Sequence, residues 1–163
     1  MGLQIPGELA DLLNDLGYIW PKSDEEKLFE LGQHWIGFGS SVQQAAGDAD
    51  TAAQGVWTGN TGDAVEAFRK FWSDQESASA TTHAGANGSL AVGAALVVCA
   101  AVVLALKINV IIQLVTLAIE IAEAVATAVP TFGASLLEIP VFKEITNRLM
   151  QLVFNEAIGA VLG

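Results

Sequence analysis

The chain has 163 residues, 52% of them hydrophobic and only 15% charged, with a net charge of −11. That balance argues against a nucleic-acid partner, whose phosphates need a basic footprint, and against electrostatic docking on anionic lipid. The apolar excess, at a mean hydropathy of +0.47, is uneven. Residues 1–85 carry thirteen acidic against four basic side chains, net −9, whereas residues 86–163 carry five against three, net −2. The sequence thus divides into an acidic front half and an apolar rear half that must be covered.

The first residues, Met1-Gly2-Leu3-Gln4-Ile5-Pro6, lead into acidic residues rather than a basic n-region, so no general secretory signal peptide is expected. Leu9, Leu12, Leu13 and Leu16 share one side of a short amphipathic segment, and Gly17 and Pro21 bracket an aromatic plug of Tyr18, Ile19 and Trp20. The segment is expected to cap one end of a helical hairpin. Ser23-Asp24-Glu25-Glu26 reads as a capping box. From there Leu28, Leu31, Trp35, Phe38, Val42, Ala45, Ala49, Ala52 and Val56 alternate at spacings of three and four, a heptad stripe on one long helix.

Gly55-Val56-Trp57-Thr58-Gly59-Asn60-Thr61-Gly62 sets a tryptophan among three glycines, which predicts a turn in which Trp57 packs on the flanking helices. Asn60 or Thr61 is placed to cap a second helix, whose apolar face is Ala64, Val65, Phe68, Phe71 and Trp72. Leu28, Leu31, Trp35, Phe38, Val42, Val65 and Phe68 should bury the hairpin seam. Two helices with one seam each leave a face open, so a further surface is needed. Ser77–Ser89, small and polar, reads as a frayed helix end and linker, with Gly85–Gly88 the boundary between 1–85 and 86–163.

Leu90–Leu106 is an unbroken apolar run at the short limit for a membrane span, ended by Lys107. The next helix carries a narrow polar stripe of Asn109, Gln113, Thr116, Glu120, Glu123 and Thr127. Such a stripe is either the solvent-facing edge of a buried helix or the lining of a watery path through a membrane. Pro130, Gly133 and Ile139-Pro140 break the pattern before a last amphipathic helix from about Val141. That helix runs nearly to Gly163 without a stop signal, which suggests the front module of a longer protein.

No stretch assembles an active site. The glycine-rich turn lacks the lysine of a phosphate loop, His34 and His83 have no ligand-spaced neighbours, and Cys99 is alone in an apolar run. Glu120 and Glu123 could point one way, but with no histidine beside them they do not make an acid–base pair.

With these elements the chain resembles the WXG-motif family of type VII (ESX-type) secretion substrates. It is similar in particular to the N-terminal regions of large actinobacterial polymorphic toxins. Ile5–Leu9, Trp20-Pro21 with Asp24–Leu28, Trp57–Ala64 and Phe132–Pro140 carry the likeness, which covers essentially all of the chain. The resemblance implies an all-α fold: a Trp-x-Gly hairpin followed by a highly hydrophobic long-helix region. It implies a non-enzymatic export and delivery module without cofactor, metal or small-molecule substrate. Its partners would be a WXG-type hairpin or a second copy, the secretion machinery and a membrane. Trp57 and Gly59 match the turn half of the family's secretion signal. The second half departs, since Trp72 and Glu76 offer tryptophan where the family has tyrosine. Any toxin chemistry would lie in a C-terminal domain outside this chain. A membrane pore in which residues 90–137 insert as a helical hairpin, or a helical oligomerisation scaffold, are the alternative readings.

Overall fold

A computed structural model describes residues 2–131 and 133–162. The chain is all-α: among the described residues there are five α-helices and no strand. They are α1 (Gly7–Asp15), α2 (Glu25–Gly59), α3 (Asp63–Trp72), α4 (Ala78–Ala126) and α5 (Ile139–Leu162), with a short 3₁₀ turn at Ala134–Glu138 before α5. Two compact units form, one from residues 28–98 and one from residues 1–27 with 99–163, so that the boundary falls inside α2 and α4. Phe132, at the head of the fourth resemblance run, lies outside the described residues.

In the first unit α3 folds back on α2, as the sequence suggests, and α2 also pairs antiparallel with the front of α4, which the sequence does not suggest. A Cβ on Gly32 would meet Gly93 and Val97, and one on Gly39 would meet Ala86 and Leu90, while Asp50 reaches Ser79 and His83. The residues expected to form a linker are therefore helix. Ser77 caps α4 by accepting the Ala80 amide at 3.1 Å. The chain runs helical through Gly85 and Gly88.

The seam itself is displaced from expectation. Gly32, Gly39, Ala46 and Ala53 are buried on α2, with Ile36, Asp50 and Trp57 half-buried beside them. These positions follow the predicted stripe one residue later, about 100° round the helix. Leu31, Trp35 and Phe38 are consequently 45%, 38% and 57% exposed, and Leu28, Val42, Val65 and Phe68 only half-buried. Small residues win the seam because they let two helix backbones approach; the bulky row is left outward.

In the second unit α1 and the segment after it cover the rear of α4 and α5. Leu13, Val110, Leu114 and Met150 are fully buried, with Ile5, Leu9, Leu12, Leu16, Tyr18, Trp20, Leu106 and Phe154 packed on them. Burying Leu13 contributes about 2 kcal/mol. The Tyr18 ring stacks on Phe154 at 5.2 Å, and its hydroxyl donates to the Asn147 carbonyl at 3.4 Å. The capping role expected of residues 6–20 thus applies to the apolar rear pair of helices, and Ile19 points outward.

Asp24 rather than Ser23 caps α2, its Oδ1 accepting the Lys27 amide at 3.2 Å. That releases Glu25 to turn inward. Lys107 interrupts the apolar run but not the helix; α4 continues through it to Ala126, so the run from Leu90 and the polar-striped segment from Asn109 are one helix and residues 90–137 do not form a hairpin of their own. Pro140 opens α5 at its first turn, where a missing N–H is harmless.

Candidate functional site

The chain's most conspicuous sequence feature lies at the end of the α2/α4 pair. α2 continues through Trp57 and Gly59, so the tryptophan occupies the last helical turn, not the bend. Asn60 caps α2 from behind, its Nδ2 donating to the Val56 carbonyl at 2.8 Å, and leaves α3 without a side-chain cap. The reversal falls on Gly62, whose φ of 124° is left-handed and suits only glycine. α3 then folds back through aromatic contacts. Trp57 meets Phe68 at 5.8 Å, and Phe68 meets Trp72 at 5.6 Å, both tilted.

Trp72 is held in turn by a carboxylate that no sequence motif singles out. Asp50 Oδ1 accepts the Trp72 indole N–H at 2.9 Å and the Ser79 hydroxyl at 2.6 Å, and Oδ2 meets His83 Nε2 at 2.8 Å. One side chain of α2 therefore clasps both α3 and α4. The bonds from Ser79, His83 and Trp72 hold the Asp50 carboxyl down at a pKa of about 2 against an ordinary 3.8. A depressed pKa stabilises the fold above the ordinary value and loses that stabilisation as pH falls through the folded one. Acid titration of wild type between pH 4 and 2 should show this loss of helix or Trp-fluorescence stability, and Asp50→Asn should remove most of that slope.

Ser79, His83 and Asp50 do not make a nucleophile relay. The hydroxyl donates to the aspartate rather than to the imidazole, so no base is placed to take its proton. Among the described residues no group of three His, Cys, Asp or Glu side chains is placed to hold a metal. The arrangement is mechanical: it fixes the apex.

The remaining candidates separate. Glu76, in the turn before α4, lines an open groove with Lys70, Phe71 and Asp74, on residues distinct from the Asp50 clasp that holds Trp72. His34 is exposed and lines an apolar groove with Leu31, Trp35 and Phe38. Asn109, Thr116, Glu123 and Thr127 are exposed and Gln113 and Glu120 half-buried, one residue before the buried row Val110, Leu114, Leu117 and Ala124. The polar stripe thus borders the seam of its unit. Leu104, Ile108, Ile112, Val115 and Ile119 make a third, apolar face on the same helix, and they are exposed.

The second cluster missed by the sequence is Glu25 with Lys107. Lys107 is 1% exposed; its ammonium donates to Glu25 Oε2 at 2.7 Å and to the Ser23 carbonyl at 2.6 Å, and lies 5.8 Å from the Trp20 ring centre. Burial works to raise the Glu25 pKa, but the Leu3 amide and Lys107 outweigh it and hold the carboxyl below its ordinary value.

A family model for the WXG100 like domain matches residues 5–149. The chain belongs to that family. No curated protein and no solved structure matches it. A WXG100-like domain points to a helical protein associated with type VII secretion, of a kind that is typically exported and pairs as helical-hairpin dimers, rather than to an enzyme. The match takes in the apex, the clasp and the buried ion pair, and extends to the first half of α5.

Proposed function

We propose that this chain is the non-enzymatic export and delivery module of a larger secreted toxin, steering it to type VII secretion and aiding membrane passage. The carrying observation is the WXG100-like match together with a Trp57 fixed at the apex through Phe68, Trp72 and Asp50. In this reading Trp57 and Gly59 form the main recognition surface, with Trp72 and Glu76 contributing the second element. Residues 1–85 carry the signal and residues 86–163 serve delivery. The delivery half rests on the resemblance, read from the sequence alone, of Ile5–Leu9, Trp20-Pro21 with Asp24–Leu28 and Phe132–Pro140 to the N-terminal regions of actinobacterial toxins.

The outward row Leu31, Trp35 and Phe38 suits a partner hairpin, because an exposed apolar stripe at helical spacing is what helix pairing consumes. Trp57→Ala should abolish export of the full-length protein while helix content stays at wild-type level by circular dichroism. Wild-type export of a folded Trp57→Ala chain would overturn the reading.

A membrane channel is the second reading, favoured by α4, which is long and apolar enough to cross a membrane and is mostly uncovered along its most apolar stretch. There the Asn109–Thr127 stripe would face water. Conductance of the purified chain in planar bilayers, with Trp57-independent export, would favour it.

A further inference from the structure

More large apolar side chains are exposed than buried among the described residues, and five of the ten buried hydrophobic residues are alanines. Much of that deficit sits on the rear of α4. From Lys107 to Ala126 its apolar positions sweep most of the circumference, interrupted by the polar stripe and by Lys107 itself. One part of this arc, Leu106, Val110 and Leu114, is covered by residues 5–20; the part with Ile108, Ile112, Val115 and Ile119 is bare.

The cover is closed at one charged point. Glu25 holds the start of the segment by accepting the Leu3 amide and its end through Lys107, which also grips the Ser23 carbonyl. Two features make the closed form easy to give up. The ion pair is desolvated, and Trp20 Nε1 is buried without an acceptor among the described residues. Both regain hydrogen bonds when the segment leaves. Against water, Leu9, Leu12, Leu13 and Leu16 hold the cover shut. Against hydrocarbon that advantage vanishes for the helix, because lipid tails cover Val110 and Leu114 as well as leucines do.

We propose that residues 2–25 are a releasable strap, locked by Glu25 and Lys107, that masks the Leu106, Val110 and Leu114 face of α4 from a lipid bilayer. The competing surface is electrically neutral lipid, since a chain of net charge −11 is repelled by anionic headgroups. The trigger is not mild acid: a carboxylate held below its ordinary value keeps its charge at pH 5–6. This strap stands or falls separately from the export reading, which Trp57 tests.

The experiment is flotation of the full chain with phosphatidylcholine vesicles. Wild type should stay in the soluble fraction, and Glu25→Gln and Lys107→Met, each checked for wild-type helix content, should float about tenfold more or better. Lys107→Arg, which keeps the pair, and Glu25→Gln with Lys107→Met, which removes both charges, should stay soluble. Flotation of wild type, or single variants that keep their helices and do not float, overturns the strap. Folded single variants that oligomerise without vesicles also overturn it, since the uncovered face would then serve a protein. Amide exchange on wild type gives a test free of substitutions: Leu3 and Leu9–Gly17 should open in one event, easier than the opening of α4, and separate opening overturns the proposal.

Discussion

Lys107→Met is expected to lower stability by about 3–5 kcal/mol, because it leaves Glu25 buried and unpaired. In a chain of this size that is a fall of roughly 10 °C in Tm. The cost arises from the orphaned carboxylate, not from a large net value of the pair. Removing both charges with Glu25→Gln and Lys107→Met should therefore recover most of the loss, since buried ion pairs replaced by matched neutral groups are often neutral or better. The glutamine oxygen keeps an acceptor for the Leu3 amide. The pH dependence distinguishes the two states by sign. In wild type the depressed Glu25 pKa stabilises above the ordinary value and is lost in acid. In Lys107→Met burial is opposed by the Leu3 and Glu25 amides alone, so the Glu25 pKa should stand above its wild-type position and the deficit should shrink as pH falls. A deficit that is constant from pH 7 to 4, measured by urea unfolding, would mean that the lysine acts by packing alone.

The all-α class, the long helix from about residue 25 and the aromatic apex were legible because each rests on local signals: periodicity, glycine punctuation and one tryptophan with nowhere else to go. What failed was the phase. On α2 the row Leu31, Trp35, Phe38, Ala45 and the row Gly32, Ile36, Gly39, Ala46 have the same period, and reading by bulk selects the first. Helix pairs close on whichever row permits the shortest backbone distance, and that is a property of two helices together. The same logic hid Ser77–Ser89. Small polar residues look like a linker, yet Ser79 and His83 are four apart on one face and answer Asp50, a partner 29 and 33 positions away. Lys107 looked like a stop because its counter-ion lies 82 positions earlier, beyond any window of local pattern. A solvent-facing edge and the lining of a watery membrane path stay equivalent readings of the polar stripe in sequence, since both demand only contact with water.

Gly93→Ala and Gly88→Ala should shift stability in opposite directions, although both replace a glycine in the same helix. Mid-helix, alanine in place of glycine gains about 1 kcal/mol from backbone entropy and propensity. At Gly88 nothing lies within 4 Å of an added Cβ, so that gain should appear nearly whole. At Gly93 the added carbon lies 2.7 Å from the Gly32 carbonyl oxygen, 2.9 Å from the Ile36 nitrogen and 2.6 Å from Ile36 Cγ1. Two of these are backbone atoms of α2, which cannot rotate away as a side-chain end can. Relief needs the helices to part by about 0.7 Å, a gap that forfeits a quarter to a half of each dispersion contact along the seam. The buried row of the seam on α2 is Gly32, Gly39, Ala46 and Ala53, residues too short to reach across the opening. Overpacking at this point should outweigh the propensity gain and leave a net loss of about 2–3 kcal/mol. Paired thermal melts decide it. If Gly93→Ala were as stabilising as Gly88→Ala, α2 and α4 would not meet at this crossing, and the outward placing of Leu31, Trp35 and Phe38 would fall with it.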